Sequence, residues 1–303
     1  MRTKKKLDFK SLKMKKIKIL IPVYNDWQSV FKLMENINLE VSSLDSEFSV
    51  IIVNDASTES RPEISSKLDN LKNIKIINMK ENRGHARWIA SGLKYILEKE
   101  EFDYVIPMDG DGEDRPEEIK KLVSKLKEYP DKVIVGERVK RSESSFFKVC
   151  YFIHKIITYT FTGQLIKFGN YTCLPKFIVE KMIKEKATWN SFSGSLAKVV
   201  KNKVAIASER GSRYFGPSKM SFKNLIIHSL AIISVFKINV LVRSILFILV
   251  YMFLIHQNIS AIMLIPIALV VLLIVLVFSI SKRENLNELN SSLDNILNID
   301  TIK

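Results

Sequence analysis

The 303-residue chain has only two cysteines, Cys150 and Cys173, with no CxxC spacing. That excludes a disulfide-stapled scaffold and a structural zinc site, leaving two reduced thiols packed as small hydrophobes. Its four histidines, His85, His154, His228 and His256, are scattered, so there is no histidine-rich metal motif either. Acidic residues are scarce, 32 against 47 Lys and Arg, and the net charge is +15. No signal-peptide h-region follows the basic amino terminus, so residues 1–16 do not read as a secretory signal peptide. With 26% charged and 47% hydrophobic residues, the chain is neither disordered nor collagenous.

What is present is unevenly spread. Residues 1–16 carry eight positive charges against Asp8 alone, +7 of the total. Such an arm suits an anionic membrane surface, where each Lys or Arg contributes roughly 1 kcal/mol. Nucleic acid is not expected as a partner, because the arm adjoins no recognised motif. Residues 259–280 run uncharged for 22 positions, about 33 Å as a helix and enough to cross a bilayer. Residues 238–255 are apolar except for Asn239, Arg243 and Ser244, and Arg243 is expected to snorkel to the headgroups. Only His256-Gln257-Asn258 joins the two runs, which therefore predict a transmembrane helical hairpin. Lys237 and Arg243 at one end and Lys282 and Arg283 at the other place both ends on the cytoplasmic side of a cell membrane.

Residues 220–237 hold Phe222, Leu225, Ile226, Ile233 and Phe236 among lysines and predict an amphipathic helix in the membrane interface. Beyond the hairpin, Leu286, Leu289, Leu293, Ile296 and Leu297 fall at three- and four-residue spacing. This predicts a short amphipathic helix serving as a homo-oligomer contact, against a loosely ordered polar tail. The expected organisation is a basic arm (1–16), a cytosolic α/β domain (17–219), an interfacial helix (220–237), two membrane helices (238–280) and a cytosolic tail (281–303).

Within 17–219, apolar runs at 17–23, 48–54, 74–78, 104–108 and 133–135 predict strands. Helical patterns at 28–39, 62–68, 86–97 and 116–129 lie between them. Alternation of this kind makes a mostly parallel sheet, with ligands at the carboxyl ends of its strands. Polar clusters follow four strands: Pro22-Val-Tyr24-Asn25-Asp26, Asn54-Asp55-Ala-Ser-Thr, Glu81-Asn82-Arg-Gly84-His85 and Asp109-Gly-Asp111-Gly-Glu113-Asp114. One such cluster is ordinary turn chemistry; four at one sheet edge predict a site. Asp109, Asp111 and Glu113 crowd together, and oxygen-only ligation suits Mg²⁺ or Mn²⁺. An EF-hand is excluded, because position 12 from Asp109 is Lys120.

These motifs, in this order, resemble family 2 glycosyltransferases of the A-type fold, and among them the polyprenyl-phosphate glycosyltransferases such as dolichyl-phosphate mannose synthase. The resemblance runs from about residue 16 to 236. It implies that Pro22, Tyr24, Asn25 and Asp26 line a nucleotide pocket, that Asp55 meets base and ribose, and that Asn82 and Gly84 open a nucleotide-binding helix. It further implies that Asp109 meets the nucleotide, and that Asp111 and the Glu113 position hold the metal. Arg138, in Gly136-Glu-Arg138, and Arg213-Tyr-Phe-Gly216-Pro-Ser218-Lys219 match two further family elements. Two departures stand out. Glu113 replaces the usual Gln, and Gly169-Asn170-Tyr171-Thr172 stands where relatives have Gly-Ser/Asp-Phe-Arg, so Thr172 lacks a guanidinium for phosphate.

The implied reaction is inverting transfer of a sugar from a nucleotide-diphosphate sugar to polyprenyl (undecaprenyl) phosphate. Asp111, Arg138, Arg213 and Lys219 serve catalysis, and Arg138, Lys140, Arg141 and Ser218 bind the acceptor. The aromatic segment 144–161 is expected to lie at the interface, against the lipid chain or in the core. A sugar hydroxyl of a lipid-linked glycan is the alternative acceptor, with Asp114 as base or merely as a helix cap. From another class, a non-catalytic nucleotide-sugar-binding membrane adaptor fits the same motifs without turnover.

Overall fold

The computed structural model describes residues 14–64, 66–140, 145–217 and 221–303, with the backbone alone at 140 and 145–148. Among the described residues, eight strands form one sheet: β1 (Lys15–Val23), β2 (Ser46–Asn54), β3 (Leu71–Met79), β4 (Tyr104–Pro107), β5 (Val133–Lys140), β6 (Phe168–Pro175), β7 (Lys203–Glu209) and β8 (Ile296–Thr301). Their spatial order is β7-β5-β6-β4-β1-β2-β3-β8. Strands β6 and β8 run antiparallel to their neighbours and the rest run parallel. The carboxyl ends of β1, β2, β3, β4, β5 and β7 therefore share one edge with the start of β6.

Both faces of the sheet are covered, which is why its central strands read as unbroken apolar runs. Helices α1 (Trp27–Val41) and α3 (Ile119–Glu128) cover one face. On α1, Val30, Leu33, Met34, Ile37 and Val41 recur at helical spacing against Ile17, Ile19 and Ile21. Helices α2 (His85–Lys99), α5 (Lys176–Ile183) and α6 (Phe192–Val199) cover the other, through Ile89, Leu93, Ile96, Val179 and Leu196 against Leu20, Ile51 and Val105. Cys173 is buried in the core and Cys150 is half-buried, both as free thiols.

Helices α4 (Ser145–Thr162) and α7 (Phe222–Ser234) lead to α8 (Lys237–Ile255) and α9 (Ile265–Ser281). Both α8 and the segment containing α9 are long and apolar enough to cross a membrane, by length and composition, and few of their side chains are buried. Ile233, Val240 and Val277 form a buried cluster with Ile157 and Phe161, joining α4, α7, α8 and α9 at their base. Arg243 is exposed and also reaches back to α4. Its Nη1 donates to the Thr160 carbonyl at 2.9 Å, and Asn239 Nδ2 donates to the Thr162 carbonyl at 3.2 Å. Residues one turn apart on α8 thus satisfy the unpaired carbonyls that end α4, where a cation also favours the helix dipole.

Two sequence expectations change, and one stretch that carried none turns out to be structured. Residues 62–68 form no helix in the described positions. Ile64 packs on the core, Leu68 is buried, and Asn70 is bound through N–H and Nδ2 to Asn38, which fixes an extended crossover instead. Strands β6 and β7 and helices α5 and α6 come from a stretch with no clear periodicity. The tail does not form a helix over 286–297. Helix α10 covers only Leu286–Asn290, a short 3-10 turn follows at Ser292–Asn295, and β8 then pairs with β3. The open edge of β3 offers unpaired N–H and C=O groups, and filling them outweighs the helical spacing of the tail.

Candidate functional site

The four polar loops do meet at one sheet edge. After β1, Asn25 sits at φ 52°, a left-handed turn that asparagine tolerates. Its N–H donates to Ser57 Oγ at 3.0 Å and its Oδ1 accepts from the N–H of Thr58 at 2.8 Å, tying the β1 and β2 loops together. Asp55 Oδ1 and Oδ2 accept from the N–H groups of Arg83 and Gly84, each at 3.0 Å, which joins the β2 loop to the start of α2. Burial pushes the Asp55 carboxyl up, and these two N–H groups pull against it. Gly84 adopts φ 86° there. Tyr24 and Asn82 are exposed at the rim.

After β4, two glycines let the acidic loop lie close to its neighbours. A Cβ on Gly110 would stand 2.6 Å from the Pro22 carbonyl oxygen, and one on Gly112, at φ 89°, would meet the Tyr214 ring. The Asp-Gly-Asp-Gly pattern is thus a packing requirement as well as an acidic one. Arg213 bridges two loops: its Nη1 is 2.7 Å from Asp111 Oδ2 and its Nη2 is 2.6 Å from Asp26 Oδ2. Arg210 pairs with Glu113. Asp109 Oδ1 accepts from Asn170 Nδ2 at 3.1 Å, and the same amide meets His85 Nε2 at 2.7 Å.

Asp114 does not cap the following helical turn. Its Oδ2 accepts from the Asp109 N–H at 2.9 Å, and its Oδ1 lies 3.7 Å from Arg138. Burial and the charge of Asp109 push the carboxyls of both Asp111 and Asp114 above the ordinary range. Burial also opposes charge on Asp109, but His85, Arg138 and the Asn170 amide hold its carboxyl below that range. Arg213, Arg210 and Arg138 balance part of the negative charge of this loop, and a bound cation would act on the same carboxylates.

As a cation site, Asp109 and Asp111 provide hard oxygen donors, which fit Mg²⁺ or Mn²⁺. Among the described residues, no three Asp, Glu, His or Cys side chains are gathered as a metal cage. Glu113 is instead turned to Arg210. Lys140 lies at the end of β5 with only its backbone described, and Arg141, Ser218 and Lys219 lie outside the described residues.

Sequence reasoning missed three partners. Arg210 had no signal beyond standing three residues ahead of Arg213. His85 and Asn170 come together only because β6 runs back beside β4. Thr172 is fully buried and its hydroxyl donates to the Asn170 carbonyl at 3.1 Å, so this strand presents no group to a phosphate at that position.

Residues 18–179 match the model of glycosyl transferase family 2, and the chain belongs to that family. Its sheet is that of the A-type glycosyltransferase fold. Glucosyl-3-phosphoglycerate synthase from Mycobacterium tuberculosis, solved with Mn²⁺, UDP-glucose and phosphoglyceric acid, superposes with a TM-score of 0.55 at 12% identity over 75% of this chain and 80% of that one. A mannosyltransferase from Pyrobaculum calidifontis, solved with GDP-mannose and Mn²⁺, gives a TM-score of 0.51 at 14% identity over 93% of this chain and 76% of that one. That span is too long to be confined to the first 237 residues. At such identities the likeness is one of fold.

Proposed function

We propose that the chain is a membrane-anchored, inverting glycosyltransferase that moves a sugar from a nucleotide-diphosphate sugar to polyprenyl phosphate at the cytoplasmic leaflet. The observation that carries this reading is the convergence of the β1, β2, β3, β4 and β7 loops on Asp109 and Asp111, in a sheet domain standing on two bilayer-length helices. Strand β8 belongs to the same sheet, so the segments before and after the hairpin lie on one side of any membrane it crosses.

Asp111 and Asp109 would hold Mg²⁺ or Mn²⁺, with Glu113 joining them on release from Arg210. The ions in the two solved neighbours support this choice. When bound, the metal supplies Lewis-acid stabilisation of the departing diphosphate. Tyr24, Asn25, Asp26 and Asp55 line the nucleotide side, along the loops joined by Asn25 and Asp55. Arg213, held between Asp26 and Asp111, supplies a cation where charge develops on the leaving group, and Arg138 and Lys219 add to it. Arg138, Lys140, Arg141 and Ser218 meet the acceptor phosphate. A phosphate acceptor is already ionised at neutral pH and needs no general base. The outward residues Val149, Phe152, Ile153 and Ile156 of α4 suit the acyl boundary of the membrane.

A second reading, transfer to a sugar hydroxyl of a lipid-linked glycan, is favoured by one observation. Thr172 is buried and Asn170 is held between His85 and Asp109, so β6 offers no guanidinium to an acceptor phosphate. Mild-acid treatment of the lipid product separates the readings. A sugar on phosphate is released as the free monosaccharide; a sugar on a hydroxyl stays joined to its glycan, and label recovered only in a larger saccharide overturns the phosphate acceptor.

A further inference from the structure

The tail after the hairpin is bonded to the loops of the proposed donor pocket as well as to the sheet edge. Asn54, Asn78 and Asn298 occupy one row across β2, β3 and β8. Their side chains form a continuous ladder. Asn298 Oδ1 accepts from Asn78 Nδ2 at 2.5 Å, Asn78 Oδ1 accepts from Asn54 Nδ2 at 2.9 Å, and Asn54 Oδ1 accepts from the Ser57 N–H at 3.0 Å. Ser57 Oγ in turn accepts from the Asn25 N–H, and Asp55 lies in the chain between Asn54 and Ser57. Asp300, opposite Ile76 and two residues further along β8, is a second acceptor for Asn78 Nδ2 at 3.1 Å and pairs with Arg61 at 2.7 Å.

A second line runs beside the first. The Asn295 carbonyl accepts from the Lys80 N–H at 2.8 Å, and Asn295 Nδ2 donates to the Glu81 carbonyl at 3.2 Å. Two residues further on, the N–H groups of Arg83 and Gly84 hold Asp55. The tail thus fixes both segments that meet at Asp55.

Asparagine is a poor strand residue, and a row of β-branched side chains would make a firmer sheet edge. Three asparagines abreast do what apolar residues cannot: they carry a defined hydrogen-bond geometry from the tail to the loop. We propose that Asn298 is a positioning residue of the donor site. Acting through Asn78 and Asn54, it sets the 54–58 loop for nucleotide binding, and the segment emerging from the membrane hairpin thereby becomes part of the pocket. This rests on the reading that the 25–26 and 54–58 loops bind the nucleotide of a sugar donor.

The test is calorimetric titration of detergent-purified full-length protein with UDP and with GDP in the presence of Mn²⁺, alongside steady-state donor kinetics. Asn298→Leu keeps the volume and favours the strand, but cannot accept the ladder bond. Its nucleotide Kd and donor KM are expected to rise about three- to tenfold, with kcat at saturating donor and Tm unchanged. Asn298→Asp keeps the acceptor oxygen and is expected to bind within about twofold of wild type, as is Leu297→Ser on the exposed side of the strand. Equal binding by wild type and Asn298→Leu overturns the proposal alone. So does a loss in Asn298→Leu that tracks a fall in Tm, or one that Asn298→Asp shares. If wild type binds neither nucleotide, the donor-site reading falls and takes this proposal with it.

Discussion

Arg213 Nη1 stands 2.7 Å from Asp111 Oδ2, while its other terminal nitrogen reaches Asp26 at 2.6 Å. One guanidinium from the segment after β7 thus neutralises carboxylates from the loops after β1 and β4. Without it, Asp111 and Asp26 face each other's field with Asp109 close by, and burial has already pushed the Asp111 carboxyl up.

Removing this guanidinium has opposite effects on two observables. Arg213→Ala is expected to lower kcat by about 10²-fold, the scale of losing one preorganised cation at a developing charge. The same change frees Asp111 and is expected to tighten Mn²⁺ binding in the absence of nucleotide, measured by electron paramagnetic resonance. Weaker Mn²⁺ binding in the variant would contradict the assignment of Asp111 to the metal.

A second ion cluster lies at the opposite end of the strands. Glu100 accepts from the buried Lys18 at 2.8 Å and from Lys75 at 2.6 Å. Glu100→Ala leaves the Lys18 ammonium buried and unpaired, and is expected to cost about 3–5 kcal/mol, whereas Lys18→Met with Glu100→Leu costs far less. Burial opposes charge on Glu100, yet the two lysines hold its carboxyl below the ordinary 4.5. The depressed folded-state value means that this stabilisation is complete above about pH 4.5 and is lost as pH falls through the lower value. Thermal melts of both variants from pH 7 to pH 3 check cost and window together.

His228 on α7 gives a separate acid dependence. Burial first, and then the nearby His85, lower its imidazole from 6.5 to about 4. The two rings stand 6.2 Å apart. The unfolded chain takes up a proton below pH 6.5 that the folded chain refuses until about pH 4, so stability falls across that interval as pH drops. His228→Gln is expected to flatten the Tm profile between pH 6.5 and 4. An unchanged slope would remove His228 as its source.

The joint between α4 and α8 is also testable. Arg243→Leu leaves the Thr160 carbonyl unpaired at the end of α4 and removes a cation from that helix terminus. The expected loss is about 1–2 kcal/mol, read as a lower Tm in detergent. Arg243→Lys is expected to recover part of it. A fully neutral Arg243→Leu would mean the side chain serves the headgroups alone.

Much of this was legible in the sequence, for identifiable reasons. Strands β1, β2 and β4 announce themselves because both faces of the sheet are buried, which leaves runs such as Ile19-Leu20-Ile21 unbroken. The loops after them are legible because each is a short polar cluster at a strand end. Strand β6 is not, since Asn170 and Thr172 interrupt its apolar run. Strand β8 is masked by Leu289, Leu293 and Ile296, whose spacing continues as if helical; only the open edge of β3 decides otherwise. The pairings of Arg210 with Glu113 and of Asn170 with Asp109 join residues 97 and 61 positions apart, and no local pattern encodes them.

In the proposed lipid-linked sugar transfer, Asp111 is the carboxylate on which turnover depends. The direct measurement incubates the detergent-purified chain with Mn²⁺ or Mg²⁺, undecaprenyl phosphate and a panel of radiolabelled nucleotide sugars, then counts label extracted into organic solvent. Label from one donor is expected, disappearing with EDTA and with Asp111→Asn, while the variant keeps the wild-type Tm. Undiminished label from a folded Asp111→Asn, or no lipid label from any donor despite intact nucleotide binding, would contradict this reading.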